Sequence, residues 1–170
     1  RISSVKKFRS ESKAESTRDY PYNTLFRQIT QPEADFILVP RVSSERRKYV
    51  PIGFFDKDCI VSDSCFSIPN ATLYHFGILT SLMHNTWMRY TCGRLESRYR
   101  YSKDIVYNNF PWPQDVSTVA TNKIEKLAQD VLDVRESFPD CSLADLYDPN
   151  TMPPALVKAH NDLDKMVDKQ

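Results

Sequence analysis

A chain of 170 residues, 41% hydrophobic and 12% aromatic, has the material for one buried core with a helical appendage. No apolar run approaches the roughly 20 residues that a membrane span requires, and no two of the four cysteines and three histidines stand at metal-ligand spacing, so a membrane helix and a zinc site are both excluded as readings. The net charge of +1 conceals a basic body, residues 1–113 with 17 Lys/Arg against 11 Asp/Glu, and an acidic tail, residues 114–170 with 6 against 11.

In chain order, residues 2–17 lack Gly and Pro and repeat Ile2, Val5 and Phe8 at a spacing of three, which predicts a polar surface helix. Tyr20-Pro21 ends it, because a residue before proline is driven out of the α region. Three short runs with strand character follow: 35–39, stopped by Pro40; 49–55, after the charged turn 44–48; and 59–63 with 65–68, after Asp56-Lys57-Asp58. Their spacing predicts an antiparallel meander with its prolines at edges or strand ends. From Ala71 to Thr91 the apolar period lengthens to three or four, predicting one buried helix with Gly93 as its stop. Residues 98–106 alternate again, and Asn108 to Pro113 close the body in an extended segment.

The tail reads as helical. Val116, Val119, Ile124, Leu127, Val131 and Val134 form one stripe that Phe138-Pro139 ends. Ser142 is suited to cap a short turn, and Pro153-Pro154 to open a last helix with Leu156, Ala159, Leu163, Met166 and Val167 inward. The fold expected is α+β: a small antiparallel sheet packed on a buried helix, then an α-helical C-terminal subdomain. The body, 1–113, and the tail, 114–170, are the two expected domains. The start at Arg1, in mid-pattern and without a signal peptide, leaves room for part of the first domain upstream. Four scattered cysteines fit a reduced, cytoplasmic protein that uses them as small apolar residues.

Chemistry-bearing motifs are few. The three glycines, Gly53, Gly77 and Gly93, lie too far apart for any glycine-rich nucleotide or S-adenosylmethionine loop. Asn109-Phe110-Pro111-Trp112 has the outline of the Asn-Pro-Pro-aromatic loop with which amino-methyltransferases hold a flipped base. Phe110 replaces its first proline, so the segment reads as an aromatic plug at a junction. Residues 94–103 are the most suggestive: Arg94, Arg98, Arg100 and Lys103 with two tyrosines around Glu96. On a strand Arg98 and Arg100 share a face; an Arg fork matches the O6/N7 edge of guanine, and Glu accepts from the cytosine amine. Arg46, Arg47 and Lys48, at a hairpin tip, suit phosphate contacts, and Asp63 and Ser64 are small polar residues in an apolar stretch.

Several blocks in order carry a family resemblance: Val42-Ser43-Ser44-Glu45 with Tyr49 to Phe54; Pro69-Asn70-Ala71-Thr72-Leu73-Tyr74 onward to Ser81; Cys92-Gly93-Arg94-Leu95 with Tyr99 to Ser102; Val106 to Pro113; and in the tail Leu143 to Asp148 and Met152 to Leu156. Over essentially its whole length the chain resembles the C-terminal region of the MmeI-like, type IIL restriction–modification enzymes, their target-recognition domain followed by a small helical domain. The resemblance implies a parent that methylates adenine N6 with S-adenosylmethionine bound in an upstream domain, in some parents beside a nuclease. It implies double-stranded DNA and the parent's methyltransferase domain as partners, and no cofactor or catalytic residue within these residues. It implies base contacts from Asp63, Ser64, Glu96, Arg98 and Arg100, with Arg41 beside them; Arg46, Arg47, Lys48, Arg94 and Lys103 are the expected backbone contacts. The competing expectation is a protein–protein interaction module, docking through its aromatic patches and amphipathic tail without touching DNA.

Overall fold

A computed structural model describes residues 1–26 and 30–170, in two compact units, Arg1–Gln31 and Pro32–Gln170. In the first, the helix expected over 2–17 is two: α1, Ile2–Ser10, and α2, Glu15–Arg18. Polar side chains offer the backbone an alternative to the helix here. Ser12 Oγ accepts from Ala14 N–H, and Arg18 donates to the carbonyls of Ser12 and Lys13. Arg9 reaches from α1 to the carbonyls of Tyr22 and Leu25 and lies over the Tyr20 ring.

The second unit is α+β. Its strands are β1, Phe36–Pro40; β2, Val42–Ser43; β3, Gly53–Phe55; β4, Cys65–Pro69; β5, Gly93–Leu95; and β6, Arg98–Arg100. Instead of one meander they form two antiparallel three-stranded sheets, ordered β3-β1-β4 and β2-β6-β5. β1 is central in the first because Phe36, Ile37 and Val39 are its most buried run, and a strand covered on both faces must be apolar throughout. The run 59–63 is a loop, not a strand: Asp56 Oδ1 accepts from the backbone of Asp58 and Cys59 and holds a turn there.

A single residue joins the sheets. Arg41 N–H donates to Ser64 O, extending the β1–β4 ladder beyond Pro40↔Cys65, while Arg41 O accepts from Tyr101 N–H beyond the β2–β6 pairing.

The helix expected over 71–91 is also two, α3, Leu73–Thr80, and α4, Leu82–Thr91. Ser81 between them is extended, and its hydroxyl accepts from His84 N–H. A break in so apolar a run leaves buried backbone groups to be satisfied. Asn85 donates to the carbonyls of Thr80 and Ser81 and accepts from Val50 N–H, and Asp164 accepts from Leu82 N–H at 2.7 Å. Gly93 is therefore not a left-handed helix stop; the turn of direction falls at Cys92, and Gly93 begins β5 without a positive φ.

After a π-helical turn, Lys103–Tyr107, the tail forms α5, Thr118–Glu136; α6, Leu143–Leu146, capped by Ser142 with Asp145 answering it; and α7, Pro154–Val167. The buried face of α5 is Ala120, Ile124, Ala128, Val131 and Arg135, rotated from the expected stripe so that Val119 is exposed. The rotation follows from Gly77 on α3: a Cβ there would stand 2.7 Å from Ile124 Cγ2 and 3.4 Å from Ala128 Cβ, so the two helices meet where one has no side chain. The inner face of α7 likewise includes His160 and Asp164, with Ala159 and Met166 only partly covered.

These polar groups belong to one buried chain. Arg135 donates from Nη1 to Ile52 O and from Nε and Nη2 to the Tyr147 hydroxyl; that hydroxyl donates to His160 Nε2 at 2.6 Å. The His160 ring stacks on Tyr49, whose hydroxyl donates to Asp164 at 2.7 Å. Burial, with the positive charge of Arg135 and Lys48, lowers the His160 pKa to about 3, and burial raises that of Asp164. His160 is thus neutral. Among the described residues no disulfide forms; Cys65 and Cys92 are half-buried and Cys141 exposed. No helix among them is long and apolar enough to cross a membrane.

Candidate nucleic-acid interface

The hairpin β5–β6 is closed by a two-residue turn, since Leu95 pairs with Arg98 across Glu96-Ser97. Tight hairpin turns require a left-handed residue, normally Gly; here Glu96 takes it, at φ 57°. A non-glycine residue in that region carries local strain of a kind that collects at ligand-contact sites. Glu96 accepts from Arg98 Nη2 at 2.8 Å, both side chains largely exposed. At that exposure the pair contributes little to stability; it does hold the Arg98 fork at the hairpin tip.

Directly paired residues of an antiparallel ladder share a face. Gly93 and Val42 oppose Arg100, and Leu95 opposes Arg98, so Arg98 and Arg100 project from one face, as the alternation predicts. Tyr99 and Tyr101, from the other face, are buried. Arg94 pairs with Tyr99, and its guanidinium lies 4.1 Å from the Tyr99 ring centroid while donating to Ser97 O. It thus stands on the opposite face from Arg98 and Arg100 and braces the hairpin.

Arg41, at the sheet junction, lies with its guanidinium 4.4 Å from the Phe66 ring centroid. Ser64 is joined to it through the backbone, and Asp63 sits exposed at the top of the Ser62–Cys65 turn, where the hydroxyls of Ser62 and Ser64 are 3.0 Å apart. Arg41, Phe66, Gly93, Arg100, Lys103 and Asp104 line a concave cavity of about 450 Å³. The junction thus gathers Arg41, Ser64 and Arg100, far apart in sequence, at one exposed edge. Three cations face a single carboxylate there, and Lys103 approaches Asp104 only at 4.0 Å.

Residues 46–48 are not a hairpin tip, because β2 and β3 belong to different sheets. Arg47 is half-buried, extends to Ala144 O of α6 at 3.5 Å, and receives Arg89 on its own carbonyl. Lys48 Nζ donates to Asn161 Oδ1 of α7 and lies over the Tyr49 ring. Both are turned toward the tail helices; Arg46 is exposed.

Asn109-Phe110-Pro111-Trp112 does not form a base-holding loop. Asn109 Nδ2 donates to the carbonyls of Asp104 and Ile105, and Phe110 is buried edge-on against His84, Trp87 and Trp112. The amide whose Oδ1 would accept from an exocyclic amine is held through its Nδ2 in closing the π-helical turn, and Trp112, at the stacking position, is half-buried edge-on to His75, Tyr107 and Phe110. Nor do Gly53, Gly77 and Gly93, on two strands and a helix, form a cradle for the S-adenosylmethionine that a methyltransferase uses.

An α+β domain that displays a strained, arginine-bearing hairpin and is braced by a helical tail has the form of a specificity module. The family comparison agrees: residues 1–114 match the MmeI target recognition domain and residues 116–170 the MmeI C-terminal domain, so the chain belongs to the MmeI family. It is 41% identical over 170 residues to DNA methyltransferase A of Bacillus subtilis (strain 168), covering 99% of this chain and 19% of that protein. It superposes with a TM-score of 0.92, at 48% identity, on the type IIL restriction–modification enzyme MmeI solved in complex with DNA, covering 99% of this chain and 22% of MmeI. The chain spans about a fifth of the length of these relatives.

Proposed function

We propose that these residues form the DNA-reading part of a longer, cytoplasmic N6-adenine DNA methyltransferase of the restriction–modification type, whose catalytic domain and S-adenosylmethionine site lie outside them. The observation that carries the reading is the meeting of Arg41, Ser64 and Arg100 at one exposed edge, with Arg98 on the same hairpin face as Arg100, Glu96 paired to Arg98 and Asp63 next to Ser64 in the chain. Arg98 and Arg100 supply forks for guanine; Glu96 and Asp63 accept from a cytosine or adenine amine; Ser64 serves either base. Arg46 and Lys103, exposed at the margin, hold phosphates and set the register of the duplex. Arg94 contributes by bracing the hairpin, and Arg47 and Lys48 by seating the tail. Residues 1–113 are the recognition domain and 114–170 the helical domain that stiffens it. An apolar groove lined by Leu82, Met83, Trp87, Tyr90, Phe110 and Pro111 suits docking of the methyltransferase portion that the longer relatives carry.

The test uses the full-length protein, with its methylated sites mapped on host DNA. Arg98→Ala is expected to relax one base position of the target, by about 1–3 kcal/mol of discrimination, while methylation continues at the enlarged set of sites. An R98A enzyme with the parent's full sequence preference would remove Arg98 from the reading surface.

A further inference from the structure

Gly93 is a glycine that the fold does not require. It lies in a strand, where glycine forfeits side-chain packing and leaves the unfolded chain more entropy to lose. Two structural reasons normally justify that cost, and neither holds. Its φ is not positive, so no left-handed backbone demands it. Beyond its two chain neighbours, no atom lies within 4 Å of where its Cβ would stand, so no packed group excludes a side chain. The molecule's other strand glycine differs: a Cβ on Gly53 would meet Leu143 and Phe55 at 3.7 Å, in ordinary packing.

The space over Gly93 is not arbitrary. The residue opposes Arg100 in the β5–β6 ladder and lines the cavity with Arg41, Arg100 and Lys103. Two forks and an ammonium converge around a patch of bare backbone, the arrangement expected where a ligand comes unusually close to a strand. We propose that Gly93 is the seat of the duplex: the point of closest approach between protein backbone and double-stranded DNA, kept without a side chain so that Arg41 and Arg100 engage the same stretch of groove from either side. This rests on the DNA-reading role proposed above and adds to it a DNA-contact position that carries no polar group.

Binding and stability should then move in opposite directions. In the full-length protein, Gly93→Ala and Gly93→Val should leave the melting temperature unchanged or raise it, since both residues suit a strand better than glycine. Affinity for target duplex, measured by fluorescence anisotropy, should fall with side-chain size, by on the order of tenfold for valine, the loss that one ill-fitting base contact brings. Gly53→Ala, a strand glycine outside the cavity, should leave DNA affinity as it is. Wild-type affinity in both Gly93 variants, while the unsubstituted protein binds its target, would overturn the proposal. A loss of melting temperature in G93A would overturn it too, by showing a structural need for the glycine. Absence of target binding by the unsubstituted protein would instead overturn the DNA-reading role itself, and this inference with it.

Discussion

The contact between α3 and α5 allows the sign of a mutation to be reversed by its neighbour. Gly77→Ala adds one methyl to a helix interior, which by propensity alone stabilises by about 1 kcal/mol. At this site the new Cβ would lie 2.7 Å from Ile124 Cγ2, closer than carbon atoms tolerate, and Ile124 is wholly buried and cannot swing away. Overpacking of this kind costs about 1–3 kcal/mol, so the net effect of G77A should be a destabilisation of up to roughly 2 kcal/mol. Ile124→Ala alone should cost about 2–5 kcal/mol through lost burial and the cavity left behind. It also removes the clashing atom; the nearest remaining neighbour of the new methyl is then Ala128 Cβ at 3.4 Å. In that background Gly77→Ala should stabilise by about 1 kcal/mol, giving a coupling of about 2 kcal/mol across the pair. Urea denaturation of the 170-residue chain, followed through Trp87 and Trp112, reads all four corners of the cycle provided the slope stays constant. The same effect of G77A in both backgrounds would refute the claim that the missing side chain sets the helix spacing.

Acid should unfold the chain early. His84, buried between Tyr101 and Leu79 O, has its pKa lowered by burial to about 4, and His160 is held at about 3 against an ordinary 6.5. Between those values and 6.5 the unfolded chain binds protons that the folded one does not. Stability is therefore complete above about pH 7 and falls as pH drops, by about 2 kcal/mol per histidine between pH 7 and 5. The raised carboxyl of Asp164 works in the opposite sense. A melting temperature flat over that range would contradict the neutral assignment. At the interface, Lys103→Ala should reduce the salt slope of DNA binding by about one, whereas Lys48→Ala, directed at Asn161, should leave it unchanged. An unaltered slope in K103A would remove Lys103 from the phosphate contacts.

Local patterns were legible in the sequence; features made by distant partners were not. The strands at 36–40 and 65–69, the Ser142 cap and the proline start of α7 follow from propensity and appear where expected. Ser81 reads as one polar residue inside an apolar helix, because the groups that make its break affordable, Asn85 held by Val50 and Asp164 on Leu82, come from other segments. His160, Asp164 and Arg135 look like solvent-facing residues until Tyr49, Tyr147 and Ile52 are brought to them. Within the site, the shared face of Arg98 and Arg100 is a local matter and was readable. Arg94 has the same parity as Arg98, yet the two-residue turn reverses its face. Gly93 read as a helix stop, and that reading hid its place in a strand opposite Arg100.

The backbone of Arg41 is fixed by main-chain hydrogen bonds, its N–H held by Ser64 and its carbonyl by Tyr101. Any residue with an amide hydrogen can occupy such a socket, and proline alone is barred on that ground. Position 41 is thus a fixed address with an interchangeable occupant, anchored at the rim of the cavity proposed above to meet DNA. If the proposed reading of DNA holds, target preference can change through the identity of residue 41 while its location stays fixed.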